Sequence, residues 1–184
     1  MDAVGQRRKR CPASALPAAP EKLTRRSLAP PPRGYGSPVA IVEKVIEAPP
    51  QQVFDVLADG WTYSDWVVGT AHMRDVDDAW PRVGTQLHHR AGPWPFSLQD
   101  ASTVLACEPP RRLVLRAGLW PAGEAIVSFT LEPVGDGATR VRLGEDFAAG
   151  PLRWIRNKAN DLVLHLRNRE TLNRLSDIAT RQKG

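Results

Sequence analysis

The chain has 184 residues, 42% hydrophobic and 24% charged, enough for one domain with a real core and little room for two. Its formal net charge of +5 is unevenly placed: residues 1–38 carry eight Lys/Arg against Asp2 and Glu21, whereas 39–184 hold 17 basic and 18 acidic residues. A near-neutral body lacks the basic face of a nucleic-acid-binding domain, and no apolar run reaches the roughly 18 residues of a membrane span, so a soluble, cytoplasmic protein is expected.

Residues 1–38 contain seven prolines and almost no aliphatic periodicity. Such a segment cannot bury enough apolar surface to offset its ordering entropy, and it is expected to be a disordered, basic tail preceding one domain over 39–181. Neither RRKR nor TRRS leads into an apolar run of signal-peptide length, and a Pro-rich tail accounts for the arginines better than an organelle transit peptide. Cys11 and Cys107 form no CxxC pair, so neither a disulfide framework nor structural zinc is expected.

From Val39 to Ile46, β-branched residues predict a first strand, which stops at Ala48-Pro49-Pro50. Proline suits a first helical turn, and Val53, Phe54, Val56 and Leu57 recur at helical spacing, so 50–58 is predicted as a short helix. A second short helix or turn follows over 61–68, anchored by Trp61 and Trp66. Strands are then predicted at about 70–76, 85–90, 97–107, 111–118, 123–132 and 138–147, the last two joined by Gly135-Asp136-Gly137. Short links between consecutive strands predict an antiparallel meander. After Pro151 no proline occurs. Leu152, Ile155, Ala159, Leu162 and Leu166, and less cleanly Leu172, Leu175 and Ile178, predict one amphipathic helix of about 30 residues. Its apolar stripe needs a partner, and the sheet is the only large one, so an α+β fold is predicted: a curved antiparallel sheet wrapped around a long C-terminal helix. A curved sheet and a straight cylinder leave space between them, where a small apolar molecule fits.

This order of elements resembles the START-like helix-grip superfamily, also called SRPBCC, and in particular its polyketide cyclase/dehydrase-type members. VIEAPPQQVFDVLADGWTYSDW is similar to that family's strand-to-helix opening, and WPRVGTQLHHRAGPWP, EPPRRLVLRA and LEPVGDGATRVRLGED look like its later strands and turns. The resemblance covers about 39–181. It implies an apolar ligand cavity between sheet and helix, used by different members to bind or carry lipids and hormones or to cyclise polyketides. It implies no fixed catalytic constellation, so function has to be argued from cavity-facing residues.

Strand alternation places Leu87, His89, Leu113, Leu115, Val127, Phe129, Leu143 and Glu145 on the inward face, and His88, Arg112, Arg116, Arg140 and Arg142 outward. His89 and Glu145 are thus ionisable groups among apolar neighbours. They are candidates for ligand anchors or an acid/base pair, and Glu145 needs a partner or water if it points in. The adjacent rings of His88 and His89 project to opposite faces, and no carboxylate or thiolate completes a metal spacing around His72, so no metal and no cofactor is expected. His165 reads as a helix-flank residue, and Ser64, Asp65 and His72 lack the nucleophile elbow a triad would need. Trp94, held between Pro93 and Pro95, and Trp120 are candidates for the cavity mouth. The expected ligand wall is Phe54, Trp66, Leu87, His89, Trp94, Leu115, Trp120, Phe129, Glu145 and Leu162. The expected function is binding of a small apolar molecule such as a lipid, isoprenoid or polyketide-like compound. The alternatives are a cyclase or dehydratase using His89 and Glu145, or an interaction protein whose interior is filled by side chains.

Overall fold

The computed structural model describes residues 40–91, 98–119, 123–149 and 158–181. Seven strands, β1 (Ala40–Ile46), β2 (Thr70–Val76), β3 (Gln86–Ala91), β4 (Leu98–Glu108), β5 (Arg112–Leu119), β6 (Gly123–Val134) and β7 (Ala138–Ala149), form one sheet in the order β1-β7-β6-β5-β4-β3-β2. Every pairing is antiparallel. The meander from β2 to β7 needs only local links, and β1 closes the far edge by pairing with β7. Between β1 and β2 lie helix α1 (Pro50–Leu57), a 3-10 turn (Gly60–Thr62) and the short helix α2 (Tyr63–Trp66). Helix α3 (Lys158–Arg181) ends the described chain. The expected α+β helix-grip architecture is therefore what the protein adopts.

Local chemistry accounts for the element ends. Pro50 occupies the first turn of α1, where its missing N–H costs nothing, and Val53, Phe54, Val56 and Leu57 are all buried on its inner side. Asp59 accepts a hydrogen bond from the Trp61 backbone N–H at 3.3 Å and starts the 3-10 turn. The β6–β7 hairpin turns at Gly135-Asp136-Gly137, where Gly135 takes a φ of +59° that most side chains resist.

The pairing register lines the inward residues up in rows across the sheet. One row runs Val42, Leu143, Phe129, Leu113 and Cys107; the next runs Ala40, Glu145, Val127, Leu115 and Val104. The outer face instead carries cross-strand ion pairs, Arg142 with Glu43, Arg140 with Glu132 and Arg116 with Glu124. These exposed pairs contribute little stability, but they use up the arginines that could have made a basic patch.

Helix α3 packs chiefly against β1, α1, α2 and β7. Its docked face is not the one expected from the cleanest apolar spacing. Leu172, Leu175 and Ala179 are fully buried, together with Asn168 and Thr171, while Leu162 and Leu166 are 58% and 54% exposed. The reason is angular: at about 100° per residue Leu166 lies roughly 200° around the helix from Asn168, on the opposite side. Leu152 and Ile155 lie outside the described residues, as do residues 1–39, on which the expectation of a disordered tail falls.

Candidate functional site

Between the sheet and α3 lies a cavity of about 120 Å³. Its apolar wall is supplied by Leu87, Leu115, Val127, Phe129 and Leu143 from the sheet and by Val67, Val68 and Met73 from the α2–β2 region. Polar groups enter from two directions: Glu145, Arg167, Asn168 and Thr171 on the side of β7 and α3, and His89 and Ser102 on the side of β3 and β4.

The Glu145 side chain is only 3% exposed, and α3 brings it the partners it needs. Its Oε2 atom accepts hydrogen bonds from Arg167 Nη2 and, at 3.0 Å, from Asn168 Nδ2. Asn168 Oδ1 in turn accepts from Arg167 Nε at 3.3 Å and Nη2 at 3.2 Å, so the three side chains form a closed network. A buried carboxylate is tolerated only with such compensation. Thr171 Oγ1 accepts the Val68 backbone N–H at 3.2 Å and ties α3 to the segment after α2. Two further bonds hold the helix, from Lys44 Nζ to Asn173 Oδ1 at 2.8 Å and from Gln52 Nε2 to the Ala179 carbonyl at 2.6 Å.

His89 is 8% exposed and pairs in register with Asp100 of β4 and Met73 of β2. Burial pushes its pKa below the ordinary 6.5; Asp100 and the Leu87 carbonyl oppose the shift, and His88 adds to it. The imidazole is therefore neutral near pH 7. The Asp100 carboxylate occupies the space beside Gly118: a Cβ there would fall 1.7 Å from Asp100 Oδ1 and turn that side chain aside. Tyr63, also on the cavity wall, donates its hydroxyl hydrogen to the Leu57 carbonyl at 2.9 Å, and burial raises its pKa well above 10.0.

His89 and Glu145 stand on strands four places apart in the sheet, about 19 Å along the hydrogen-bonding direction at ~4.8 Å per strand. They reach one cavity only because the sheet curls. Of the other expected wall residues, Leu87, Leu115 and Phe129 line the cavity. Phe54 and Trp66 are fully buried in the core instead, with Trp66 packed edge-on against Phe129 at 5.8 Å, and Leu162 faces away from the sheet. Trp94 and Trp120 lie outside the described residues. Sequence reasoning missed Arg167, Asn168 and Thr171. An inward Glu145 implies that some cation must meet it, and Asn168 and Thr171 each precede a docked leucine, Leu172 and Leu175, by four residues, but neither cue names Arg167 as the partner. Among the described residues, no three His, Cys, Asp or Glu side chains are grouped to hold a metal ion. Nor is any helix there long and apolar enough to cross a membrane.

A single curved sheet closed by a C-terminal helix, with a mixed apolar and polar cavity between them, defines a helix-grip protein. Residues 39–179 match the family described as polyketide cyclase / dehydrase and lipid transport, and the chain belongs to that family. No curated protein matches the sequence. Solved structures share the fold at low identity. A protein from Rhodobacter sphaeroides is 20% identical with a TM-score of 0.61, the match covering 80% of this chain and 96% of that one. MLL2253 from Mesorhizobium loti is also 20% identical, with a TM-score of 0.59 and coverage of 79% and 98%. DynU16, a protein in the dynemicin biosynthetic locus, is 19% identical with a TM-score of 0.55, over 75% of this chain and 45% of that one.

Proposed function

We propose that this protein is a cytoplasmic binding module that holds a small apolar molecule, of lipid, isoprenoid or polyketide type, in the space between sheet and α3. The observation that carries this reading is the cavity itself: an apolar wall with a few polar groups gathered at two ends is the lining that orients and retains such ligands. A side-chain-filled interior would have favoured a purely structural role. The family description includes lipid transport alongside cyclase and dehydrase activity, and so accommodates carriage without requiring a reaction.

A second reading, proton-transfer catalysis, draws support from His89, a buried neutral imidazole on the cavity wall and hence a competent base. Against the paired version, Glu145 is already held by Arg167 and Asn168, which leaves it better suited to anchoring than to exchanging a proton. Native mass spectrometry of protein purified from its host tests the binding reading. An apolar mass that co-purifies and is lost on denaturation is the expected result. A bare protein mass that stays unshifted after incubation with candidate lipids and aromatic polyketides would count against it.

A further inference from the structure

We infer that the cavity selects a neutral, hydroxylated compound about one ring in size, with its hydroxyl donating to Glu145; this rests on the binding reading above and narrows its ligand class. Size comes first. A cavity of about 150 Å³ lined by Leu, Ile and Phe encloses a benzene molecule. At about 120 Å³ the space among the described lining residues has the size of a single ring, and it is open on one side. A longer acyl chain or a fused polycycle would extend from it through that opening.

Polarity comes second. Glu145 is 97% buried as 3% side-chain exposure implies, and both of its hydrogen bonds end on Oε2. Oε1 accepts none among the described residues, although the residue lines the cavity. Oε1 is not among the sealed unpartnered polar atoms, so it is reached from the cavity, and its spare acceptor capacity is open to a donor there. Arg167 Nη1 likewise makes no hydrogen bond to the described residues, which leaves a spare donor on the residue that pairs with Glu145. A hydroxyl group, both donor and acceptor, matches this pair. A ligand carboxylate does not, because Arg167 is already neutralised by Glu145 and a second anion would meet Oε1. The rest of the ring would lie against Leu115, Val127 and Phe129, which share or adjoin the row of Glu145 in the sheet.

The test is calorimetric titration of the full chain with phenol, toluene and 1-decanol. Phenol and toluene have nearly the same shape, so an apolar site prefers toluene and a site with a waiting carboxylate prefers phenol. We expect phenol to bind about tenfold more tightly than toluene, as a charge-assisted hydrogen bond allows, and Glu145→Gln to abolish that preference while changing toluene affinity less than about threefold. The comparison on the unaltered chain stands even if the variant does not fold. Toluene binding as tightly as phenol would overturn the hydroxyl assignment, and 1-decanol binding more tightly than phenol would overturn the size limit. Either result leaves the binding reading intact. Failure of all three compounds to bind, together with the absence of co-purifying mass, would remove both.

Discussion

Replacing Arg167 by Met tests whether the Glu145 network holds α3 in place. The substitution keeps most of the apolar stem and deletes the cation, leaving a carboxylate that is 3% exposed with one neutral donor, Asn168 Nδ2 at 3.0 Å. Removing one partner of a buried pair costs about 3–5 kcal/mol, and because the Arg167 side chain is itself 31% exposed we expect the lower end, about 3 kcal/mol. With a urea m-value of about 2 kcal/mol/M, the unfolding midpoint should fall by about 1.5 M at unchanged slope. Exchanging both charges for apolar residues of similar size, Glu145→Leu with Arg167→Met, should recover most of the loss, because desolvation of both groups is then avoided. Urea denaturation followed by circular dichroism on the two single variants and the double variant measures this directly. A loss below about 1 kcal/mol for Arg167→Met, or a double variant as unstable as the two singles added together, would refute the reasoning.

Three other outcomes are expected. Leu172→Ala should cost about 2–5 kcal/mol while Leu162→Ala stays within about 0.5 kcal/mol, since the first is fully buried and the second 58% exposed; thermal unfolding of the pair reads which side of α3 is docked. His89 has a folded pKa below the ordinary 6.5, so the unfolded chain takes up this proton first. The stability contributed by the neutral ring is present above about pH 6.5 and lost as pH falls through 6.5 toward the folded value, and His89→Leu should flatten the stability profile in that window. Gly118→Ala should cost no more than about 1 kcal/mol, because the only group its Cβ would meet, the Asp100 carboxylate at 1.7 Å, is a side-chain end that can turn aside, and Asp100→Ala in the same chain should remove that cost in the same denaturation assay.

The sheet was legible because its two faces differ so plainly. Leu113, Leu115, Phe129, Leu131 and Leu143 alternate with the set Arg112, Val114, Arg116, Ser128, Thr130, Glu132 and Arg142, a one-residue slip would turn the apolar set away from the core, and the structure keeps that register. The same alternation separates His89, at 8% exposure, from its more accessible neighbour His88. Helix α3 was legible as a helix but not in its orientation. Periodicity reports that apolar residues share a side; it does not report that a buried Asn168 and Thr171 belong to the docked one. That choice is made by Glu145 on β7, twenty-odd positions earlier in the chain, and such a long-range pairing has no local signature. For the same reason Phe54 and Trp66 read equally well as ligand wall or as core: alternation and helical spacing give a direction, and only the packed tertiary structure tells how far along it the cavity begins.

The position of the cavity follows from the same ion pair. Leu172, Leu175 and Ala179 fasten the C-terminal part of α3 near β1 and α1, where the core is dense. One to two turns earlier the docked face becomes Asn168 and Thr171, residues that cannot fill a hydrophobic groove and instead bond to Glu145 and to the Val68 backbone. Opposite them the sheet presents Leu87, Leu115 and Val127, and among the described residues the part of α3 that lines this space is Arg167, Asn168 and Thr171. A leucine at position 168 or 171 would extend the dry core along the helix and occupy this volume. Asparagine and threonine hold the helix at a hydrogen-bonding distance while leaving the space open. The polar residues that carry the network are thus also what keeps the interior unfilled, so a stabilising repacking such as Asn168→Leu combined with Glu145→Leu and Arg167→Met is expected to raise stability and abolish ligand binding together.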